Sequence, residues 1–274
     1  MRRMFASVLV LLALVAPLSA ELKVTSKMSV RPVPGAAPAT DMMSQMMGPM
    51  MLQMFGGTEG VESVTISHED GRTRTEYKTP FIGMPAGSVV IMRADGTSVG
   101  FDPKAGTWWK VPGAADMPPE AAAMMAQMKP EITTRKTGQF ETIAGQRAEK
   151  VTLSMRMPIP LPPEAAQMPA EFRAMIPEAF IFEGDTWIAG SFSQYTKAMA
   201  KSMTTGAMSQ FGLDKLMADF QGLAVKQVMR MNMLAGYEME TLVLSIVEED
   251  APDSVFDLPT GLKEIPMPTP QIGR

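Results

Sequence analysis

The sequence predicts a mainly β protein of the α+β class, with one curved antiparallel sheet or half-open β-barrel and helices covering its concave face. Apolar and polar residues alternate along about ten segments, most clearly at residues 22–33, 146–157 and 225–234. Short Gly-containing turns join many of these segments. Helix-like segments rich in Met and Ala interrupt the pattern at three places, which favours helices that lie against the concave side of the sheet.

The first 20 residues are typical of a secretory signal peptide. Arg2 and Arg3 precede an uncharged apolar run, and Ala20 offers the small residue that a cleavage site needs. The chain has no cysteine, which excludes lipid attachment to a cysteine as well as disulfide bonds. We therefore expect a periplasmic or secreted protein that is released from its signal peptide and does not span the membrane.

Charge and composition narrow the function classes. Loss of Arg2 and Arg3 would lower the 25 basic residues to 23, against 29 acidic residues, for a net charge of about −6. A nucleic-acid-binding protein needs a basic surface, so we expect no nucleic-acid partner. The outlier is methionine, with 29 residues, some of them clustered beyond what core packing requires.

The first half of the chain predicts a meander. Residues 22–33 form its first strand, and residues 61–79 and 87–101 form two hairpins around Asp-Gly turns. A two-residue turn in each hairpin would pair Thr65 with Glu76 and Met92 with Val99. Residues 107–111 continue the meander.

The second half predicts longer strands, a helical region and a tail. The predicted strands are residues 132–140, 146–157, 180–189, 225–234 and 238–248. The strongest helical pattern covers residues 191–220. Residues 252–265 resemble a tether that packs on the sheet, and residues 266–274 are a loose tail, so that residues 21–265 form a single domain.

The most unusual segment lies between the first strand and the first hairpin. Residues 41–55 begin with a residue suited to capping a helix, and Gly48-Pro49 predicts a kink. On a helix, all of its methionines fall within one half of the circumference. These methionines are Met42, Met43, Met46, Met47, Met50, Met51 and Met54.

Two further insertions share this composition. Residues 117–128 predict a short helix with a second methionine face, and residues 157–177 form an insert rich in Pro and Met. We predict that the two methionine faces form a pliable lid over the sheet, with three tryptophans as walls. The predicted contacts beyond residues 41–55 are Met124, Met125, Met128, Trp108, Trp109 and Trp187.

Several short phrases occur in an order that resembles a known family. The phrases are FDPK at 101–104, TWW at 107–109, TIAGQRAEK at 142–150, WIA at 187–189 and PDSVFDLPTG at 252–261. Their order resembles the exported family of unknown function DUF4412 and, more distantly, the lipoprotein carriers LolA and LolB and the related RseB. The resemblance spans about residues 60–265. It implies an open antiparallel barrel with helices over its mouth and an apolar cavity for acyl chains.

Other interpretations of the methionines remain open. Met42, Met46 and Met50 have the i, i+4 spacing that stacks thioethers on one helix face, and thioethers are ligands that Cu(I) prefers. The methionines can also be ordinary core and linker residues. A third function class is a sensor module similar to RseB, which would bind an envelope protein partner.

Enzymatic signals are poor. His68 is the one histidine of the chain, and its place on an alternating segment indicates a packed strand residue. The sequence has no phosphate-binding loop, dinucleotide fingerprint or nucleophile elbow. We therefore expect a non-enzymatic periplasmic carrier or binding protein, without a cofactor, for an apolar ligand such as a lipid, an acyl chain or a lipoprotein.

Overall fold

The structure is a computed structural model, and it describes most of the predicted strands. The described ranges are residues 21–33, 59–113, 129–159, 178–196, 221–234 and 236–269, with ten single residues between them (35, 49, 52, 53, 55, 57, 116, 118, 119 and 169). The predicted signal peptide and the methionines of residues 41–55 and 117–128 lie outside the described residues.

Twelve strands form a single sheet within the described residues. They are β1 Glu21–Pro32, β2 Val61–Ser67, β3 Thr73–Tyr77, β4 Val89–Met92, β5 Ser98–Asp102, β6 Thr107–Val111, β7 Glu131–Ile143, β8 Gln146–Pro158, β9 Ala179–Ala189, β10 Leu223–Met231, β11 Tyr237–Glu249 and β12 Lys263–Glu264. Their bounds agree closely with most of the predicted segments, because alternation of apolar and polar residues marks a strand with two different faces.

The sheet is curved and open, and its strand order is β12-β6-β5-β4-β3-β2-β1-β11-β10-β9-β8-β7. Neighbouring strands are antiparallel except for β12, which pairs in parallel with β6. The first strand lies at the centre, where it joins the meander β2–β6 to the long strands β7–β11. The prediction of a mainly β protein with one curved antiparallel sheet is therefore confirmed.

The predicted helices over the concave face stay a prediction. Among the described residues, the helical segments include three short 3-10 helices, at Gly190–Phe192, Asn232–Leu234 and Asp253–Phe256, a helical turn at residues 193–196, and single helical positions at 49, 52, 53 and 119. The helix at Gly190–Phe192 opens the connection that the sequence predicts as the main helical region. Its Phe192 is buried, together with Tyr195, against Leu22, Val24 and Val243 of the sheet.

The predicted register of the first hairpin is wrong by one residue. Thr65 pairs with Thr75, and their hydroxyl oxygens are 3.0 Å apart. The His68 N–H donates to the Arg72 carbonyl at 2.9 Å, which leaves three residues in the loop instead of two. Gly71 has φ +97° at the last loop position, the conformation that a three-residue hairpin loop requires there.

The second hairpin departs from prediction in the same way. Met92 pairs with Ser98, and the Arg93 N–H donates to the Thr97 carbonyl at 2.8 Å around another three-residue loop. The shift has a structural benefit, because it places four large apolar residues on one face in adjacent pairs. These residues are Val89, Ile91, Val99 and Phe101, and each is at most 6% exposed.

The C-terminal tail packs on that apolar cluster. Leu258 and Leu262 lie against it, and Phe256 is 5% exposed beside the loop of the first hairpin. His68 meets the Phe256 ring edge-on at 6.0 Å, and the Arg72 guanidinium lies 4.8 Å from its centre. The tail then adds the short strand β12 to the edge of the sheet, which the sequence did not predict.

Candidate functional site

One side of the strands β8 to β11 carries a band of methionine and phenylalanine side chains. Directly opposed residues of neighbouring strands share a face, and Met155, Phe182 and Met231 form such a row across β8, β9 and β10. In the adjacent row, Met229 of β10 is opposite Met239 of β11. We call the side of the sheet that carries these five residues the methionine face, and the other side the opposite face.

The band is partly covered and closely packed. Met229 is 7% exposed, whereas the other four residues are half-buried. Gly184 lies beside Met229 on the same face, and a Cβ built on this glycine would be 2.7 Å from the Met229 sulfur. The missing side chain of Gly184 therefore makes room for the thioether to lie flat on β9.

The opposite face of the same strands is charged. Glu238 is buried and accepts hydrogen bonds from Arg31 at 2.9 Å and from Arg230 at 3.0 Å. Burial raises the pKa of Glu238, but the hydrogen bonds and charges of the two arginines outweigh it, so the pKa lies below its ordinary value. Around Met229 and Glu238, the methionine face is thus apolar and the opposite face is ionic.

The three tryptophans that the sequence analysis selected lie on different faces. Trp187 is on the opposite face, where the Lys226 ammonium is 4.4 Å from the ring centre. The register places Trp108 on that face too, packed against the cluster beneath the tail. Trp109 is on the methionine face, 1% exposed, with its indole flat across Gly100. The structure does not bring the three together into one wall.

The end of the methionine-rich segment contacts the methionine face. Phe55, at the end of residues 41–55, meets the Phe81 ring at 5.9 Å, and Phe81 stacks on Tyr77 at 4.8 Å. Tyr77 is paired with Ser63 in the sheet, which places its ring on the methionine face. Burial raises the pKa of the Tyr77 hydroxyl, as expected for a phenol packed between sheet and loop.

Two of the insertions are attached at the same end of the sheet. Residues 41–55 connect β1 to β2, and residues 157–177 connect β8 to β9. β1 ends opposite the start of β11, and β10 ends opposite Phe182 near the start of β9. The Met155–Phe182–Met231 row lies at the end of the sheet where β1 and β8 end.

A cavity of about 720 Å³ opens on the methionine face near the free edge of the sheet. It lies at the other end of β7, β8 and β9 from the Met155–Phe182–Met231 row. Its lining combines apolar, polar and charged side chains. The lining residues are Thr134, Lys136, Phe140, Arg147, Glu149, Val151, Ile188, Gly190 and Gln221.

Part of this site follows from the sequence. Met155, Met229 and Met231 lie in segments that predict strands, but no pattern marks them as ligand contacts. The cavity was not predicted, because Lys136, Phe140 and Arg147 come together only through the pairing of β7 with β8. Their shared signal in sequence is weak, since charged residues are ordinary in edge strands.

Among the described residues, no group of three or more His, Cys, Asp or Glu side chains could hold a metal ion. The thioethers of Met42, Met46 and Met50 lie outside the described residues, so Cu(I) binding stays a prediction. Likewise, no helix among the described residues is long and apolar enough to cross a membrane.

Comparison with known proteins gives distant likeness to solved structures only. No protein-family model matches the chain, so membership of DUF4412 stays a prediction. No curated protein matches either. Among solved structures, the chain is similar to a LolA superfamily protein from Nitrosomonas europaea, with 9% identity and a TM-score of 0.31 over 88% of this chain and 91% of that one. A TM-score of this size assigns neither fold nor function.

Proposed function

We propose that the protein is a non-enzymatic periplasmic carrier or binding protein for an apolar ligand, such as a lipid, an acyl chain or a lipoprotein. The observation that supports it is the band of Met155, Phe182, Met231, Met229 and Met239 on one face of the long strands. Four of these five side chains keep part of their surface exposed. A partly exposed apolar band of this kind is typical of a ligand surface.

Methionine suits this role for a physical reason. Its unbranched side chain has three rotatable bonds and a polarisable sulfur, so a methionine surface can adapt to ligands of varying shape. Burial of apolar area contributes about 25 cal/mol per Å², irrespective of the detailed geometry of contact. A surface of this kind therefore binds acyl chains by contact area rather than by directional bonds.

In this proposal, the methionine-rich insertions form a lid over the methionine face. Residues 41–55 end at Phe55, which is held on the methionine face through Phe81 and Tyr77. A lid attached at this point would cover the Met155–Phe182–Met231 row with its own methionines. In the absence of ligand, the two methionine surfaces would cover each other.

Native mass spectrometry of the purified protein tests the proposal. We expect retained lipid before delipidation, and rebinding of dodecanol afterwards. Phe182→Ser with Met231→Ser should weaken rebinding at least tenfold, and so should Met46, Met47, Met50 and Met51 changed together to serine.

The matched control is Val247→Ser. Val247 is 48% exposed and lies on the opposite face, so its loss should leave rebinding unchanged. Failure of the wild-type protein to retain or rebind any apolar molecule would overturn the proposed function.

A further inference from the structure

A bulge in the edge strand β7 shapes the cavity on the methionine face. Lys136 is opposite Val151, whereas Phe140 is opposite Glu149. Between these two pairs, β7 advances by four residues and β8 by only two. Gly138 within the bulge has φ +72°, and the Thr137 hydroxyl donates to the Lys150 carbonyl at 2.8 Å. The extra residues bring Lys136 and Phe140 to neighbouring positions on the same face, which regular pairing would not do.

The bulge also fixes an arginine. The Arg147 guanidinium lies 3.8 Å from the centre of the Phe140 ring. A guanidinium stacked on an aromatic ring keeps its N–H donors in its own plane, where they remain able to bind an oxyanion. Phe140 is itself 49% exposed, so this pair stands at the open side of the cavity rather than in the core.

Lys136 and Arg147 differ from most other cations of the sheet. Ten lysines and arginines form ion pairs with carboxylates. Within the part of the chain that the structure describes, neither Lys136 nor Arg147 has a carboxylate within 4.0 Å. The third charged group of the lining is Glu149, so the side chains that line the cavity sum to +1. In a chain of net negative charge, this is a local positive site.

The cavity and the apolar band lie next to each other along β8. Val151 belongs to the cavity, and Leu153, Met155 and Met157 follow it on the same face of β8. At a rise of about 3.3 Å per residue, Val151 and Met157 are roughly 20 Å apart along the strand. One end of this track offers two cations, and the rest offers apolar side chains.

We infer that the ligand is an anionic amphiphile, whose acidic headgroup binds between Lys136 and Arg147 while its acyl chain extends along β8 toward Met155. This inference rests on the proposed function and names the chemical class of its ligand. The headgroup is a carboxylate or a phosphate, since both accept charge-assisted hydrogen bonds from lysine and arginine. Phe140 and Ile188 then flank the first carbons of the chain.

Displacement of the neutral dye Nile red tests the inference with four probes. Dodecanoate, dodecyl phosphate and dodecanol share one alkyl chain and differ in headgroup, and inorganic phosphate has the headgroup alone. We expect dodecanoate, dodecyl phosphate or both to bind at least tenfold more tightly than dodecanol, which corresponds to about 1.4 kcal/mol. A preference for one of the two anions identifies the headgroup.

Two variants assign the preference to the cavity. Lys136→Gln combined with Arg147→Gln should abolish the preference, so that the double variant binds the anionic probe no more tightly than it binds dodecanol. Arg135→Gln is the matched control, because Arg135 is an exposed cation of the same strand that faces the other way. Circular dichroism should show the wild-type spectrum for both variants, since the changed side chains are exposed.

The outcomes separate this inference from the proposed function. Equal affinity for dodecanol and the anionic probes, or a preference that survives the double substitution, overturns the inference and leaves the carrier function standing. Displacement by inorganic phosphate at the concentrations that suffice for dodecyl phosphate also overturns it, because the cavity would then bind a free anion. If none of the three alkyl probes binds, the proposed function itself fails.

Discussion

The two halves of the sheet bury their apolar residues in different ways. The meander β2–β6 has strands of four to seven residues, and its cluster of Val89, Ile91, Val99 and Phe101 is covered by the C-terminal tail. The strands β7–β11 have nine to thirteen residues, and the apolar side that they present is the methionine face. The cluster of the meander is therefore covered by the chain itself, whereas the methionine band keeps part of its surface exposed.

The side chains of the two regions fit this difference. The cluster of the meander consists of β-branched and aromatic residues, which have few rotamers and pack in one arrangement. The apolar band on the long strands consists mainly of methionine, which packs in many arrangements. Rigid residues thus lie where the chain covers itself, and adaptable residues lie where we propose that a ligand binds.

The largest effect is expected from loss of the aromatic ring that holds the tail. Phe256→Ala should lower the free energy of unfolding by about 4 kcal/mol, because a buried ring with a histidine and an arginine packed on it is lost. Urea unfolding measures this loss, and limited proteolysis should show earlier cleavage of the tail. Dodecanol affinity at temperatures where the variant stays folded should not change. A parallel loss of affinity would contradict the separation of the two regions.

A pair of glycine substitutions compares the regions directly. A Cβ at Gly100 would lie 2.3 Å from the Trp109 indole, and a Cβ at Gly184 would lie 2.0 Å from the Val228 carbonyl oxygen. Gly100→Ala and Gly184→Ala should each cost about 3 kcal/mol in urea unfolding, since close-packed sites resist added volume. Gly184→Ala should also weaken dodecanol binding, because it displaces the Met229 thioether.

Gly100→Ala is the control for that second effect. Trp109 is also on the methionine face, but it belongs to β6 of the meander, which is far from β10 in the strand order. Equal effects of the two substitutions on dodecanol binding would mean that the binding surface extends over both halves of the sheet.

The smallest effect is expected from the ionic side of the long strands. Glu238→Gln should lower the free energy of unfolding by about 2 kcal/mol at pH 7, because the charge-assisted hydrogen bonds of two arginines to a buried group are weakened. The pKa of Glu238 is lower in the folded protein than in the unfolded chain. Its contribution is therefore fully present above about pH 4.5, the ordinary value for glutamate, and is lost as the pH falls through the folded pKa.

Urea unfolding at pH 7 and at pH 3 measures this difference. The wild-type protein should lose more stability between the two pH values than Glu238→Gln does. Glu183→Gln is the control, since Glu183 is an exposed carboxylate on the same face and its change should cost less than about 0.5 kcal/mol. An equal pH response of wild type and Glu238→Gln would contradict the assignment.

Local pattern predicted the strands well and their pairing less well. The strands at residues 107–111 and 146–157 agree with β6 and β8 because alternation is a property of consecutive residues. The gap between the predicted strands at residues 132–140 and 146–157 contains the turn, where Ala144 and Gly145 both have positive φ. The Asp-Gly hairpins were predicted one residue out of register, because the same dipeptide fits loops of two and three residues.

By itself, the sequence determined a mainly β chain of alternating strands with methionine-rich insertions, since these follow from composition and short-range periodicity. The tertiary structure decided which alternating faces meet. It placed Met155, Phe182 and Met231 in one row and separated Trp109 from the other two tryptophans. It also brought Lys136 of β7 and Arg147 of β8 into the lining of one cavity. Such sites depend on the register between distant segments, and register is set by loop lengths, bulges and shared burial rather than by any single segment.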